Sequence, residues 1–205
     1  MKKRFTPTRW MLIALVFVSL ACNFVTGSGG NQNQPAQPTV PAPQVTVAVE
    51  QPTAAVDGQY LRQWAISATA SSEYGSTSWT AMQATGAPNV DECGDNGQAW
   101  ASFSNNTLEW IELTYATPVV PTEINIYQSY NPSQVVQVDV ISPDGITYTV
   151  WTGTPEFVEF CPDLMTITID LDEEILAQKV VVIIDQSVLK TSWNEIDAVE
   201  LVGRP

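Results

Sequence analysis

Two carboxylates stand together where the last alternating stretch of this chain begins. In "SWNEIDAVELVG", residues 192–203, Glu195 and Asp197 open a run with Ile196, Ala198, Glu200 and Val202 on one parity. Asp197, Val199 and Leu201 share the other. Acids disfavour strands, so the pair predicts a compensating partner. If Val199 and Leu201 point inward, Asp197 does too, and an inward carboxylate needs hydrogen bonds or a cation. A second oxygen-rich stretch, "GAPNVDECGDNG" at 86–97, holds Asn89, Asp91, Glu92, Asp95 and Asn96 among glycines. Oxygen donors on a Gly-kinked loop suit Ca²⁺, which takes about 6–8 of them. The candidate metal ligands are Asn89, Asp95, Glu195 and Asp197, with Ca²⁺ as the candidate cofactor. The same residues are also ordinary turn formers, and EF-hand spacing is absent. In either case the acid pair is expected to tie the last strand to this loop, through its backbone N–H groups or through a shared cation.

A second chemistry is stacking. Trp79 lies in the first long loop, "YNPS" supplies Tyr130 and Asn131, and Trp193 and Asn194 precede the acid pair. Tryptophans at loop tips make a sugar platform or a protein hot spot, and Tyr130 with Asn131 could stack on and hydrogen-bond a sugar. The alternatives are structural: tryptophans capping a core, a Tyr packing its ring while bonding its OH, and an Asn satisfying backbone groups. The candidate ligand residues are therefore Trp79, Tyr130, Asn131, Trp193 and Asn194.

Catalysis has little to work with. Glu195 with Asp95 or Asp197 is the pair a glycosidase would use. The chain contains no His, and no Ser sits in a nucleophile elbow. A non-enzyme is expected.

The elements that position these residues read as strands. "EWIELTYA" sets Ile111, Leu113 and Tyr115 against Trp110, Glu112 and Thr114. "TEINIYQSY" aligns Ile124, Ile126 and Gln128, and "QVVQVDVIS" aligns Val136, Val138 and Val140. "PDG" at 143–145 is a turn. "LMTITIDL" and "QKVVVIID" follow, the latter apolar enough for burial on both faces. Short strands at this spacing predict an all-β antiparallel sandwich. Only "SWTAMQAT", 78–85, has room for a short helix.

The start of the chain is different. "MKKRFTPTR" is basic, and "WMLIALVFVSLA" is an apolar run of about a dozen residues, the pattern of an export signal and short for a membrane span. "SLAC" places Cys22 after a small residue, as in a bacterial lipoprotein box where the Cys carries lipid. An ordinary signal peptide or an uncleaved anchor is the alternative. The expected organisation is a signal peptide at 1–21, a Pro/Gln/Thr-rich tether at 22–58 and one globular head at 59–205. The head would then face outside, held to the membrane through lipid on Cys22. Beyond Cys22, four Lys and Arg stand against 22 Asp and Glu, a net −18. That balance excludes nucleic acid as a partner, since such binding needs cations to displace counterions. Cys93 and Cys161 are the head's only thiols, and in an exported protein they are expected to pair. Two free thiols or a metal pair are the alternatives.

In order, "SSEYGSTSWTAMQATGAPN", "GDNGQAWAS", "EWIELTYATPVVPTEINIYQSYNPSQVVQVDV" and "WNEIDAVELVG" resemble a galactose-binding-like jelly roll. The version with Tyr-Asn-Pro and Ile-Asp-Ala-Val is similar to the discoidin-related domain of pappalysin-type and bacterial secreted proteins. It departs from the factor V/VIII type C pattern, whose Asp-Gly calcium loop corresponds to "GAPN" here. The resemblance implies a binding module, for glycan or cell-wall polymer, working through loops at one end of the sandwich. A structural or protein-docking head with a surface protein as partner is the alternative, because this fold carries both kinds of module.

Overall fold

The computed structural model describes residues 55–57, 60–171 and 173–205. The expected signal peptide, Cys22 and most of the tether lie outside the described residues. The strands are β1 (Ala55–Asp57), β2 (Tyr60–Trp64), β3 (Ser67–Ala70), β4 (Leu108–Tyr130) and β5 (Val135–Ile141). They continue as β6 (Thr147–Thr152), β7 (Asp163–Thr168), β8 (Ala177–Asp185) and β9 (Glu195–Arg204). A 3₁₀ turn spans Ala81–Ala84, inside the stretch expected to hold a helix, and a one-turn helix, α1, spans Gln186–Leu189.

The strands form two antiparallel layers joined by β4. Its first half pairs with β3 and β8, and β5 and β6 complete that layer. Its second half pairs with β9 and β7, and β2 and β1 extend that layer beyond β9. The change of layer falls near Pro118 and Pro121, where the register against β8 and β9 shifts. Proline has no N–H for the ladder, so the pairing is interrupted there while the strand itself runs on.

The core lies between the layers. Ile111, Leu113, Val138, Val140, Val180, Val182 and Ile184 come from one side, and Ile124, Ile126, Ile167, Val199 and Leu201 from the other. Each such side chain contributes about 1.5–3 kcal/mol of burial. Tyr115 crosses the core, its hydroxyl donating to the Val199 carbonyl at 3.2 Å. Burial first, then the Glu200 charge, holds that phenol well above its ordinary range.

Several expectations change. Val138 and Val140 reach the core together with Val135, not Val136, because a bulge shifts β5 against β8 between Val135 and Gln137. β8 is buried on one face and only half-buried on the other. Ala55–Asp57, in the stretch read as tether, pairs with β2. The disulfide is present: Cys93 and Cys161 are bonded, with Cα atoms 5.1 Å apart. It ties the first long loop to the segment entering β7.

Candidate functional site: an aromatic cup over an acid pair

The first long loop, 71–107, folds over one end of the sandwich. Trp100 is its anchor, fully buried and paired with Ile196 by N–H···O bonds of 2.8 and 3.0 Å. Its indole N–H donates to the Ser72 carbonyl at 3.1 Å. This anchor places Asp95 and Asn96 beside the start of β9, and the Asn96 N–H donates to Glu195 Oε2 at 2.9 Å. Two glycines let the loop fold tightly. A Cβ on Gly75 would lie 2.5 Å from the Ser78 carbonyl oxygen, and one on Gly97 would lie 2.9 Å from the Ser78 Cβ. Between these contacts Trp79 takes φ 56°, a left-handed conformation that bulky side chains rarely adopt. Its N–H donates to Gly97 at 3.0 Å and its carbonyl accepts from Ala101 at 3.3 Å.

The result is a cavity of about 120 Å³ lined by Tyr74, Trp79, Tyr130, Trp193, Asp95 and Glu195, with Ala101 and Ser192 completing it. Tyr74 packs edge-to-face on two tryptophans, its ring centroid 5.4 Å from Trp79 and 5.3 Å from Trp193. Such pairs add about 0.5–1.5 kcal/mol each beyond area burial. The Trp79 indole N–H donates to Asp95 Oδ1 at 3.0 Å, and that of Trp193 to the Ser102 carbonyl at 2.9 Å. Both rings are thereby fixed in orientation. Glu195 is 1% exposed. Its removal from water pushes its carboxyl up to about 8, and the neighbouring Asp95 carboxylate adds to the rise while the Asn96 N–H opposes it. At neutral pH Glu195 therefore keeps its proton.

Asp197 sits apart from this cup. Its carboxylate accepts the N–H groups of Asn89, at 3.0 Å, and Val90, at 3.1 Å. Burial raises its affinity for a proton, and the two N–H donors oppose that. Asp197 is 2% exposed, but simple strand parity does not place it. Ile196 and Val199 both reach the core, and the register with β4 shifts between Ile196 and Ala198, which makes Asp197 the extra residue of a bulge. Bulges re-aim side chains in this way. The acid pair thus ties β9 to the loop in two places through backbone N–H groups.

The four expected Ca²⁺ ligands do not converge. Asp95 and Glu195 line the cup, whereas Asn89 and Asp197 line a separate groove of about 460 Å³ with Tyr127, Leu164 and Asp91. Among the described residues no group of three acids or thiols comes together to hold a metal.

Two expected ligand residues also belong to the frame. Asn194 is fully buried, and its Nδ2 donates to Gln128 Oε1 at 3.0 Å and to the Asn131 carbonyl at 3.0 Å. Asn131 donates to the Trp193 carbonyl at 2.9 Å, so both asparagines lock the loops that present Trp193. Trp79, Tyr130 and Trp193 do line the cup. Sequence reasoning missed Tyr74, which is 50% exposed. The signal was "EYGS", an aromatic residue next to a glycine in the same loop as Trp79.

Several solved structures share this fold. One is a chitosan-binding module from a chitosanase/glucanase of Paenibacillus sp. IK-5, at 19% identity and TM-score 0.51, covering 67% of this chain and 93% of that one. Another is a family 32 carbohydrate-binding module from C. perfringens in complex with galactose, at 18% identity and TM-score 0.51, covering 69% and 98%. A third is a fucolectin from striped bass serum, at 18% identity and TM-score 0.50, covering 67% of this chain and 46% of that one. At these identities the likeness establishes the fold, a galactose-binding-like jelly roll. Among curated proteins no relative matches. The family model described as "Pappalysin-1, SD scarf domain, C-terminal" matches residues 53–205, and the chain belongs to that family.

Proposed function

We propose that the chain is a non-catalytic glycan-binding module, holding a sugar in the cup at one end of the sandwich. The carrying observation is the cup itself: aromatic rings locked by hydrogen bonds around two carboxylates, with Trp79 in a strained backbone conformation. Strain of this kind concentrates at binding sites, and fixed rings lose little entropy on stacking. Solved structures of the same fold named as chitosan-binding and galactose-bound modules support the reading. Glycoside hydrolysis is poorly served. It needs two carboxyl groups free to act on opposite sides of a bond, whereas Asp95 is held by the Trp79 indole N–H and Glu195 by the Asn96 N–H. The leader sequence supports display from a membrane through lipid on Cys22, with the head facing outward.

A glycan array with the full chain tests this reading. Binding that is lost in Trp79→Ala and Tyr74→Ala, while both variants still unfold cooperatively, is the expected result. Absence of any glycan signal would remove it.

Phe157 and Phe160 favour a second reading, a protein-docking head. They are 76% and 75% exposed on the segment that the disulfide tethers. Specific protein capture lost in Phe157→Ser, with no glycan signal, would select it.

A further inference from the structure

We propose that the cup selects a protonated amine, so that its glycan is an amino sugar with a free, unacetylated amino group. The inference rests on the glycan reading and names the chemistry of its ligand.

The argument starts from what the walls can donate and accept. The two indole N–H groups that the rings could offer are already committed, to Asp95 and to the Ser102 carbonyl. What remains is π-face and oxygen: Tyr74 and Tyr130 with their hydroxyls, the Ser192 hydroxyl, and the carboxyl groups of Asp95 and Glu195. No Lys or Arg lines the cavity, and the ion pairs among the described residues lie at Arg62, Lys179 and Arg204. Acids without a counter-charge in an aromatic enclosure call for a cation. An ammonium supplies three donors and no acceptor, and aromatic faces attract it. A neutral hydroxyl would bond the acids but would bring no opposite charge to them.

A second observation is the burial of Glu195. A side chain only 1% exposed lines the cup, with one backbone donor, Asn96, on one of its oxygens. The titratable groups around it in the cup are Asp95, Tyr74 and Tyr130. Removed from water beside Asp95, it holds its proton up to about 8. An arriving ammonium reverses that preference, so the carboxyl releases its proton to solvent as the amine docks. Binding is then linked to proton release near neutral pH.

The test is calorimetric titration of the full chain with a glucosamine tetrasaccharide and with its fully N-acetylated counterpart. A third arm uses a lysine-rich peptide. At pH 7 the free amine should bind about tenfold tighter or more, the scale of one cation–π contact with a charge-assisted bond. Heats in buffers of different ionisation enthalpy should show proton release. Asp95→Asn keeps an acceptor for Trp79 and removes a charge, and it should bring the two sugars to within about threefold at unchanged melting temperature. Glu195→Gln should abolish proton release. Equal binding of both sugars by the parent would overturn the amine inference and leave the glycan reading standing. Peptide binding without sugar binding would overturn the glycan reading and assign the ammonium site to a protein. No binding in any arm overturns the amine inference, and the glycan array then decides the glycan reading.

Discussion

Asp197 and Val90 are joined by a buried hydrogen bond that spans 107 residues of chain, the Val90 N–H donating to Asp197 Oδ2 at 3.1 Å. Asn89 donates to the same carboxylate, so one side chain holds the base of the first long loop against β9. Its loss leaves two backbone donors unpaired. Asp197→Ala is expected to cost about 1–3 kcal/mol and to lower the melting temperature clearly. Asp170→Ala, at an exposed position, should stay within about 0.5 kcal/mol. The bonds are direct, so a chelator should leave the parent's melting temperature unchanged. A chelator-induced drop that is absent from Asp197→Ala would restore the Ca²⁺ expectation.

Disulfide loss is expected to be costly. The Cys93–Cys161 bond closes a separation of 68 residues, for which the chain-entropy model gives about 4 kcal/mol. Cys93→Ser should therefore shift the urea midpoint strongly, and reductant should have the same effect on the parent and none on the variant. Linked peptides in a non-reducing digest should identify the bond. Two alkylatable thiols in the native protein would contradict it.

The proposed anchor predicts a change of compartment. With Cys22→Ser, the chain should move from the membrane fraction to the medium. Tight retention of that variant would point to an uncleaved apolar segment in place of lipid.

A glycine controls the shape of the cup. Gly75 lies against backbone, with the Ser78 carbonyl oxygen 2.5 Å from where a Cβ would stand, so no side-chain rotation relieves the clash. Gly75→Ala should displace the 75–79 segment and weaken ligand binding by more than it lowers stability. Met82→Ala, on an exposed part of the same loop, should do neither.

Much of the fold was legible because the strands alternate. Ile111, Leu113 and Tyr115 fall inward at the period-two spacing that a half-buried strand requires. The failures sit where the period breaks. A bulge put Val135 in place of Val136 in the core; Asp197 is buried and held by the loop's N–H groups as expected, although a bulge in β9, not parity, aims it there. Register shifts of one residue depend on the partner strand, so one strand's pattern does not reveal them. The site was legible in its residue types and only partly in its grouping. Trp79, Trp193, Tyr130, Asp95 and Glu195 do meet. Asn131 and Asn194 turned inward because the loops they join needed donors for buried carbonyls.

The pH dependence of stability carries the signature of the acid pair. Glu195 has a folded value near 8, raised from an ordinary 4.5 mainly by burial. Between those two values the folded protein keeps a proton that the unfolded chain has lost. The stability from this group is therefore complete below the unfolded value and is lost as pH rises through the folded one. Asp197 is shifted in the same direction, so the two effects add. Urea midpoints should fall from pH 5 to about pH 8, most steeply midway between the two values, and level off toward pH 9. Glu195→Gln stays neutral across this range and should flatten much of the slope, leaving a residue assigned to Asp197 and other acids. It should match the parent most closely at pH 5 and exceed it at pH 9. A parent whose midpoint rises over that interval, or a variant with the parent's slope, would show that Glu195 is ionised in the folded state.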